Sequence, residues 1–377
     1  MNQVFFGGLS ALKEMRAIMN RMAPQHVFLV RGRKSYSACG AEQMLKPLLS
    51  EMQCDVYEWF DFQDNPKIED VEKGLALLRK SPVDLIIAVG GGSVIDMAKL
   101  LRFFYSYKGD LLKNEYEKCA ETLPLIVLPT TSGTGAEATH FAVCYKDKKK
   151  YSIAHEEILA DVVIVYPPFS YKNPPYLTAC TGVDALAQSI EAFWNVNATK
   201  ESDAYAEKAI PVLWNGLPCL INENNVVLRE RIAMAAYWSG RAINITKTTA
   251  PHAFSYAFTT YCGYPHGHAV ALTLPFFADV NVNCKGLLRK ALDCQEYQKK
   301  MDRFCSLIGI DDKRNVMRSF EDFLKFVGLE NRGFGKENVF ELIAKVNVQR
   351  LNNNPVVVDE KTIDDLKMYL MTSQKGN

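Results

Sequence analysis

The feature that most constrains the fold is a change in hydrophobic periodicity near residue 175. Before it, short β-branched runs alternate with amphipathic stretches, which predict strands at 26–30, 54–60, 85–89 and 123–128 and helices at 41–52 and 68–78. Residues 85–89 contain no polar side chain, and such a run indicates a strand buried on both faces. Strands that alternate with helices predict parallel crossovers in a doubly wound α/β sheet.

After Pro174 and Pro175 the periodicity becomes helical almost throughout. It predicts helices at 184–194, 202–217, 227–244, 270–282, 297–307, 316–327 and 363–370. A chain of 377 residues is also too long for one small core. We therefore predict an N-terminal α/β domain over residues 1–178 and an all-α domain over residues 179–377, with the boundary within 175–182.

Composition excludes several classes of protein. A formal net charge of +1 removes any general electrostatic case for binding nucleic acid or an anionic membrane. No apolar run approaches the ~20 residues of a membrane span, and the N-terminal segment lacks the basic start of a signal peptide. The ten cysteines show no CxxC spacing, which is typical of reduced thiols in a cytosolic protein. We expect a cytoplasmic protein that acts on small molecules.

Two polar turns follow neighbouring strands of the predicted sheet. Gly90, Gly91, Gly92 and Ser93 come directly after the apolar strand, and residues 129–139 (PTTSGTGAEAT) follow the next one. Glycine lets the backbone approach a pyrophosphate, and the N-terminus of a following helix supplies N–H donors. One glycine triplet is equally typical of a plain strand-to-helix turn. Two polar turns at adjacent strand ends predict a nucleotide site.

Residue types that bind metals cluster in the second half of the chain. Three of the six histidines, His252, His266 and His268, lie within seventeen positions. Upstream, Asp184 and Gln188 are four apart and therefore share one face of a predicted helix. Carboxylates and imidazoles are common ligands of catalytic divalent metals. We interpret the chain as an enzyme that combines a nucleotide with a metal.

The motifs GGGSVIDMAK, PTTSGTGAEAT and GVDALAQSIEAFW, with the two histidines fourteen apart that end in PHG, resemble those of the iron-containing (group III) alcohol dehydrogenase family. The resemblance extends over essentially the whole chain. It implies a nucleotide-binding α/β domain joined to a helical metal-binding domain, the architecture also found in dehydroquinate synthase and glycerol dehydrogenase. It further implies a homodimer.

The resemblance also implies which residues bind the cofactor. Gly91, Gly92 and Ser93 would hold the pyrophosphate, with Asp96 nearby, and Thr130, Thr131 and Thr134 would line the nicotinamide side. Lys150 matches a family lysine that reaches the cofactor, although a surface lysine within the run 146–150 is the alternative interpretation.

The first predicted strand carries information on cofactor choice. NAD-preferring members of the family have an aspartate after this strand, which binds the ribose 2′-hydroxyl. Here Gly32 and Ser35 stand in a cationic segment, RGRKS, and such a segment accepts a 2′-phosphate that a carboxylate would repel. We therefore predict that NADP(H) is preferred over NAD(H).

Three of the four family metal ligands match, namely Asp184, His252 and His266. The fourth position is Gln188 instead of histidine, and an amide oxygen is a weaker, neutral donor. Three protein ligands with an open position still make a workable site for Fe²⁺ or Zn²⁺. The alternative is a decayed site in a nucleotide-binding protein without catalysis.

Two further side chains near the histidines are assigned by position alone. Tyr256 stands where many family members have a second histidine near the reacting carbon, and it is interpreted either as a proton donor or as a wall of the pocket. His268 lies two positions after His266, so the two cannot share a helix face, and we expect a structural role for it.

The segment RAINITKTTAPH suggests the substrate. It is polar and cationic where simple alcohol dehydrogenases of the family have small apolar residues, so Lys247, Thr248 and Thr249 are predicted to receive an anionic group. A solvated helix face is the alternative. The motifs KTTAPHAFSY, GYPHGHAVAL and NPKIEDVEKG are similar to those of the phosphonoacetaldehyde reductase branch of the family, whose members convert phosphonoacetaldehyde to 2-hydroxyethylphosphonate in phosphonate biosynthesis. Reductases of uncharged aldehydes, sugar-acid alcohol oxidoreductases and a lyase similar to dehydroquinate synthase are the other interpretations.

Overall fold

The computed structural model describes residues 3–110, 115–147, 149–330, 334–346 and 348–372. Its contacts divide the chain into two compact units, Met1–Asn173 and Pro174–Asn377. The boundary predicted at 178/179 falls inside the first helix of the second unit.

The first unit alternates strands and helices, as the sequence predicts. Its strands are β1 (Val4–Gly7), β2 (His26–Arg31), β3 (Asp55–Trp59), β4 (Leu85–Gly90), β5 (Tyr107–Asp110), β6 (Glu115–Lys118), β7 (Leu125–Pro129), β8 (Phe141–Lys146), β9 (Lys149–Ala154) and β10 (Val162–Val165). Its helices are α1 (Ala11–Met22), α2 (Ser35–Ala38), α3 (Ala41–Glu51), α4 (Ile68–Lys80) and α5 (Gly92–Ser106), with 3₁₀ turns at Ala136–Ala138, Glu156–Ile158 and Pro167–Ser170.

Six strands form one parallel sheet in the order β1–β10–β7–β4–β2–β3. The predicted doubly wound α/β fold is therefore confirmed. Strands β1 and β10 were not predicted from the sequence, nor were the strands of the two antiparallel hairpins, β5–β6 and β8–β9. Strands of four residues are too short to show a reliable alternation.

The topology brings three loops to one edge of the sheet. After β2 the chain forms β3 on one side and then returns to form β4 on the other side of β2, which makes a topological switch point. The Gly32 N–H donates to the Val89 carbonyl at 3.2 Å, and the Thr130 N–H donates to the Gly90 carbonyl at 2.9 Å. The loops after β2, β4 and β7 therefore meet where open α/β sheets bind ligands.

Both faces of this sheet are covered. All six residues of β4 are buried, as their unbroken hydrophobicity predicts. Val27 and Leu29 of β2 pack with Met15 of α1 and Leu45 of α3 in one core cluster. Helix α5 packs against β4, β7 and β2. Because side chains alternate along a strand, the residues between those of the cluster face the opposite layer.

In the described residues the second unit contains helices and no paired strands, so the predicted helical domain is confirmed. Its helices are α6 (Pro175–Trp194), α7 (Lys200–Glu223), α8 (Val226–Thr246), α9 (Ala250–Cys262), α10 (His266–Ala271), α11 (Leu274–Val282), α12 (Cys294–Leu307), α13 (Val316–Phe326), α14 (Lys336–Ile343), α15 (Val348–Leu351) and α16 (Glu360–Thr372), with a 3₁₀ turn at Lys313–Asn315.

The single helix predicted over residues 270–282 is wrong, because the structure has two helices there. Residues 270–282 form parts of two helices, α10 and α11, with a break at Leu272 and Thr273. Pro275 lies in the first turn of α11, where its missing N–H is tolerated. Inside a continuous helix, its ring would clash with the carbonyl of Ala271.

Helix α6 lies at the centre of the second unit and packs against α7, α8 and α10. It is buried along nearly its whole length from Thr178 to Trp194, which is the pattern of a helix surrounded on all sides. A polar residue on this helix is consequently removed from water.

All ten cysteines are free thiols. Among the described helices, none combines the length and the apolar character needed to cross a bilayer.

Candidate functional site

The loops that follow β4 and β7 pack directly against each other. Helix α5 begins at Gly92, and a Cβ atom added there would lie 2.7 Å from the Thr134 side chain. A Cβ at Gly91 would lie 3.3 Å from Oγ1 of Thr131. A side chain at position 92 would displace Thr134 and one at position 91 would press on Thr131, so the two glycines allow the loops to pack closely. The structure brings together the glycine turn and the threonines that the sequence predicts for the cofactor.

A buried lysine ties the second of these loops to helix α5. The Lys99 side chain is fully buried, and its ammonium donates to the Ala136 carbonyl at 2.7 Å, to Thr139 Oγ1 at 3.0 Å and to the Phe141 carbonyl at 2.6 Å. Burial lowers the pKa of Lys99 to about 8, although the charges of Asp96 and Glu137 oppose the shift. The end of the threonine loop is thereby held in one place.

Asp96 contacts the β8–β9 hairpin. The Val143 N–H donates to Asp96 Oδ2 at 3.2 Å. Burial raises the pKa of Asp96. The charge of Lys99, the hydrogen bond from the Val143 N–H and the charge of Lys150 each lower it, but burial outweighs them. Lys150 lies on β9 opposite Tyr145 of β8. The two residues predicted for the cofactor, Asp96 and Lys150, are thus close enough to interact within this unit.

The loop after β2 contributes Gly32 and Ser35. A Cβ at Gly32 would lie 2.0 Å from the Ser35 hydroxyl, so the two residues are in immediate contact. Arg31, which precedes them, pairs with Glu58 at 2.7 Å and lies over the Phe60 ring at 3.8 Å. The carboxylate of Glu58, on the neighbouring strand β3, is therefore neutralised. Ser93 is also placed at this edge, where its hydroxyl accepts from the Asn65 N–H at 3.1 Å.

In the helical unit, Asp184, His252 and His266 converge. Each offers one ligand atom, and these atoms lie within 4.8 Å of one another. Asp184 is on α6, His252 is in the first turn of α9, and His266 begins α10. Asp184 and His252 are 2% and 4% exposed, whereas the His266 side chain is 30% exposed. One side of the cluster therefore remains open.

Close helix packing brings His266 to Asp184. A Cβ atom at Gly267 would lie 1.8 Å from the Cys180 carbonyl oxygen and 3.1 Å from Cβ of Asp184. Only glycine permits α10 to approach α6 this closely. The result is a distance of 4.0 Å between His266 Nε2 and Asp184 Oδ1.

A second carboxylate orients His252. Glu191, fully buried on α6, hydrogen-bonds to His252 Nδ1, and His252 Nε2 lies 3.1 Å from Asp184 Oδ1. Burial disfavours the charged imidazole, but the charges of Glu191 and Asp184 and their hydrogen bonds outweigh it and raise the pKa of His252 to about 10. Burial would also raise the pKa of Asp184, yet His266, His252 and Gln188 together hold it below the usual value.

This arrangement fits a divalent metal. Two imidazole nitrogens and one carboxylate oxygen are the ligand types of Fe²⁺ and Zn²⁺ sites, and the exposed side leaves room for a further ligand. Metal-bound histidines commonly donate their other ring N–H to a carboxylate, which is the relation of Glu191 to His252. Asp184, His252 and His266 would hold the ion.

Gln188 lies beside the cluster, with its amide engaged on both sides. Its Oε1 accepts from the Ser239 hydroxyl at 2.9 Å, and its side chain hydrogen-bonds to Asp184 and lowers the pKa of that carboxylate. In this orientation the amide oxygen points to Ser239, and the amide supports Asp184. The Ala185 carbonyl, 2.9 Å from Ser239 Oγ, is an alternative acceptor for that hydroxyl.

Tyr256 and His268 occupy different surroundings. The Tyr256 ring lies parallel to His266, with a centroid distance of 6.2 Å and an interplanar angle of 4°. It is therefore next to the open side of the cluster. His268 is buried and its Nδ1 lies 2.9 Å from the Tyr176 hydroxyl, an arrangement consistent with the structural role expected for it.

The segment between α8 and α9 contains Lys247, which has φ 62° and ψ −173°. This region of backbone space is occupied almost only by glycine, so the conformation is strained. Asn195 Nδ2 donates to the Lys247 carbonyl at 3.2 Å, while the Lys247 side chain is exposed. Thr249, predicted to help receive an anion, is instead fully buried. Its hydroxyl accepts from Trp194 Nε1 and donates to Glu191.

Three residues that organise these sites were not predicted from the sequence. Glu191 stands seven positions after Asp184, on the same helix face, and this spacing was a usable signal. Lys99 lies in the GGGSVIDMAK motif but was not assigned a role. Arg350 approaches the cluster from a distant part of the chain, and no local pattern pointed to it.

Comparisons with known proteins agree with this architecture. A family model described as iron-containing alcohol dehydrogenase matches residues 2–167, and a model of the C-terminal part of the Fe-containing alcohol dehydrogenase family matches residues 178–369. The chain is 31% identical over 360 residues to long-chain-alcohol dehydrogenase 1 of Geobacillus thermodenitrificans, which covers 91% of this chain and 88% of that protein.

Two further relatives share a narrower description. The chain is 27% identical over 362 residues to the sulfoacetaldehyde reductase of Bilophila wadsworthia, with 92% of each protein covered. The crystal structure of sulfoacetaldehyde reductase from Bifidobacterium kashiwanohense in complex with NAD⁺ is similar with a TM-score of 0.84 and 27% identity, covering 99% of this chain and 97% of that one. The chain therefore belongs to the iron-containing alcohol dehydrogenase family.

Proposed function

We propose that the protein is a metal-dependent, NADPH-linked reductase of a small aldehyde that carries an anionic group, such as phosphonoacetaldehyde, which it would reduce to 2-hydroxyethylphosphonate. The observation that carries this proposal is Lys247, an exposed cation held in a strained backbone conformation immediately before the helix that carries His252. Strain of this kind is retained mainly at functional sites. The similarity to two sulfoacetaldehyde reductases supports an anionic substrate.

In this proposal each side chain around the metal cluster of the helical unit has its own role. Asp184, His252 and His266 hold the metal, and Glu191 keeps His252 oriented with Nε2 toward it. A bound divalent ion supplies Lewis acidity to a carbonyl, and a reduced nicotinamide supplies hydride. Tyr256 borders the open side beside His266. A Tyr256→Phe variant separates its two interpretations, since a proton donor lowers kcat on removal and a pocket wall leaves kcat unchanged.

The cofactor is held by the loops of the α/β unit. We assign Gly91, Gly92, Ser93, Thr130, Thr131 and Thr134 to the cofactor, with Asp96 and Lys150 at the adjacent hairpin. NADPH is preferred because Gly32 provides no carboxylate to repel a 2′-phosphate, Glu58 is neutralised by Arg31, and Ser35 offers a hydroxyl in contact with Gly32. The exposed side chain of Lys34 adds positive charge to the same loop, whereas Arg33 pairs with Asp61.

A rate measurement tests the cofactor assignment. The expected result is a higher kcat/KM with NADPH than with NADH, and a Gly32→Asp variant should reverse the order because a carboxylate then faces the 2′-position. A clear preference of the wild type for NADH, the cofactor related to the NAD⁺ in the solved relative, would refute NADPH preference and leave the reductase activity untouched.

A screen of aldehydes tests the reaction. NADPH oxidation is followed with phosphonoacetaldehyde, sulfoacetaldehyde and uncharged aldehydes of similar size, with Fe²⁺ and Zn²⁺ added separately. Anionic aldehydes are expected to have the higher kcat/KM. Equal or better turnover of uncharged aldehydes contradicts the substrate class, and product formation without net oxidation of the cofactor would indicate a lyase.

A further inference from the structure

An arginine from near the end of the chain reaches the segment that precedes the metal-binding helix α9. Arg350, on the short helix α15, donates from Nη1 to Thr248 Oγ1 at 2.6 Å. Asn353 Nδ2 donates to the Thr248 carbonyl at 3.0 Å. Thr248 itself is buried. The polar segment predicted to receive an anion is thus bound from the side by residues about a hundred positions away.

Arg350 also lies close to the metal ligands. Its guanidinium carbon is 5.8 Å from the centroid of the Tyr256 ring, and that ring lies parallel to His266 at 6.2 Å. The guanidinium and the His266 ring are therefore both neighbours of Tyr256. A substrate whose carbonyl binds at the metal and whose anionic group extends past Tyr256 would meet Arg350.

The guanidinium has capacity for a ligand. It has five N–H donors in a planar fork, and one of them is used by Thr248. Within the described ranges of the chain, no carboxylate forms an ion pair with Arg350. By contrast, Arg31 and Arg102 of the α/β unit pair with carboxylates at 2.7 and 2.8 Å. A half-buried arginine of this kind is suited to bind a sulfonate, phosphonate or carboxylate with two parallel hydrogen bonds.

The position of Arg350 is set by the fold before any ligand arrives. Arg289 donates to the carbonyls of Leu351 and Asn354 at 2.9 and 2.8 Å. The Asn354 side chain is fully buried and exchanges two hydrogen bonds with Asn281 of α11, at 2.9 and 3.1 Å. The segment that carries Arg350 is therefore anchored at several points, which reduces the entropy lost when a ligand binds.

We propose that Arg350, supported by Thr248, is the specificity-determining residue that binds the anionic group of the substrate. This inference rests on the proposed function, because it assigns the recognition of the anionic aldehyde to a particular side chain. Arg350 supplies a fixed pair of donors, whereas Lys247 is exposed and adds positive charge nearby. The substrates that fit this site share an anionic group, tetrahedral or planar, one or two carbons from the aldehyde carbon.

The test compares Arg350→Ala, Arg350→Lys and Lys247→Ala with the wild type. For sulfoacetaldehyde and phosphonoacetaldehyde, Arg350→Ala is expected to raise KM about 10- to 100-fold, the range for loss of charge-assisted hydrogen bonds. For an uncharged aldehyde of the same length, kcat/KM should stay within about twofold. Arg350→Lys should recover only part of the loss, because an ammonium cannot donate in a fork.

A binding measurement is independent of turnover. Calorimetric titration of the protein with 2-hydroxyethylphosphonate and with 2-hydroxyethylsulfonate should show a Kd raised in Arg350→Ala by a factor similar to that in KM. Arg241→Ala is the matched control, since Arg241 is a half-buried arginine of the same unit that is 3.6 Å from Glu201 and lies over Tyr205. It should change neither binding nor the preference for anionic aldehydes.

The outcomes separate this inference from the proposed function. If the wild type prefers anionic aldehydes and Lys247→Ala abolishes the preference while Arg350→Ala does not, Arg350 is not the recognition residue and the proposed function stands. Equal losses for charged and uncharged aldehydes in both Arg350 variants would show a structural role and overturn the inference. A wild type without any preference for anionic aldehydes contradicts the proposed substrate class and, with it, the role of Arg350.

Discussion

At the carboxyl edge of the sheet, glycines, threonines and backbone groups meet, whereas the cluster in the helical unit consists of charged side chains buried together. In the first region each turn is a short contiguous motif, and the neighbouring strands of the sheet bring these turns side by side. Gly92 packs on Thr134, and Gly32 packs on Ser35. In the second region Asp184 meets His252 and His266 across long stretches of sequence. A site made of turns is therefore encoded in contiguous motifs, and a site made of buried charges depends on helix packing.

The same difference applies to how each region is stabilised. The threonine loop is tied down by one buried cation, Lys99, whose acceptors are mainly carbonyl oxygens. The metal cluster is held by a chain of side-chain hydrogen bonds from Ser239 through Gln188 to Asp184, and from Glu191 to His252. Changes in the second region should therefore affect the metal without affecting the nucleotide, and changes in the first should do the reverse.

The largest effect is expected for His252→Ala. Removing this ligand should lower metal affinity by more than the roughly 10- to 100-fold that loss of an outer hydrogen-bond partner produces. Iron and zinc content after dialysis, measured by elemental analysis, checks this, and reductase activity should fall with it. The dissociation constant of NADPH, measured by fluorescence, should stay the same. A matching loss of NADPH affinity would show that the two regions are not independent.

Lys99→Met is expected to have the largest effect in the α/β unit. Three acceptors, including two carbonyl oxygens, lose a buried charged donor, so the free energy of unfolding should fall by about 3 kcal/mol. Urea unfolding followed by circular dichroism measures this. Metal content should be retained, and NADPH affinity should decrease as the threonine loop loosens. Unchanged stability would mean that the lysine does not anchor the loop.

Glu191→Gln removes the charge that faces His252 and keeps the size of the side chain. Metal affinity should decrease about 10- to 100-fold, as is usual for a hydrogen-bond partner of a metal-binding histidine. Competition with a chelator of known affinity gives the measurement. Glu201→Gln, at an exposed position on α7, is the control and should leave metal affinity unchanged. A Glu191→Gln variant with wild-type affinity would exclude a supporting role for this carboxylate.

Gly92→Ala should mainly affect the cofactor. The new methyl group lies 2.7 Å from the Thr134 side chain, and relieving such overpacking costs about 1–3 kcal/mol. Because the loops must separate, KM for NADPH should rise roughly tenfold, while metal content is unaffected. Gly216→Ala in α7, where the nearest atom is 3.5 Å from the new Cβ, is the tolerated control. Equal behaviour of the two variants would contradict the required contact between the turns.

Gln188→His should have the smallest effect, and in the favourable direction. An imidazole at this position adds a stronger donor next to Asp184, so metal affinity should increase severalfold, by about 1 kcal/mol. The same chelator competition measures it. Ser239→Ala tests the other side of the amide. This variant removes the hydroxyl that donates to the Gln188 oxygen. If that oxygen then binds the metal, the metal affinity of Ser239→Ala should not decrease. A weaker site in Gln188→His would indicate that support of Asp184 matters more than a fourth ligand.

Much of the fold could be predicted from the sequence because its signals are local. The unbroken apolar run of β4 and the helical periodicity after Pro175 are properties of short windows, and both predictions are confirmed. The errors have equally local causes. The strands β1 and β10 have four residues each, and Pro275 interrupts a helix that periodicity alone predicts as continuous.

Fewer of the contacts in the candidate site than of the helices and strands could be predicted from local sequence signals. The ligand types of Asp184, His252 and His266 were recognised, and the structure brings them together. Of the residues that act through a second side chain, Glu191 had a local signal in its spacing from Asp184, whereas Arg350 had none. The contact of Glu191 with His252 depends on how α9 crosses α6, and the bond from Arg350 to Thr248 depends on where the end of the chain packs.

By itself, the sequence determined the two-part architecture, the glycine and threonine turns and the chemical types available to a metal, because each of these is written in neighbouring residues. Only the tertiary structure decided which side chains these residues contact. Gln188 hydrogen-bonds to Asp184, and the Thr249 hydroxyl donates to Glu191. Arg350 lies beside Tyr256. The physical reason is that hydrogen bonds between buried side chains require distances set by helix packing, and α10 can approach α6 this closely only because Gly267 has no Cβ atom to clash with the Cys180 carbonyl.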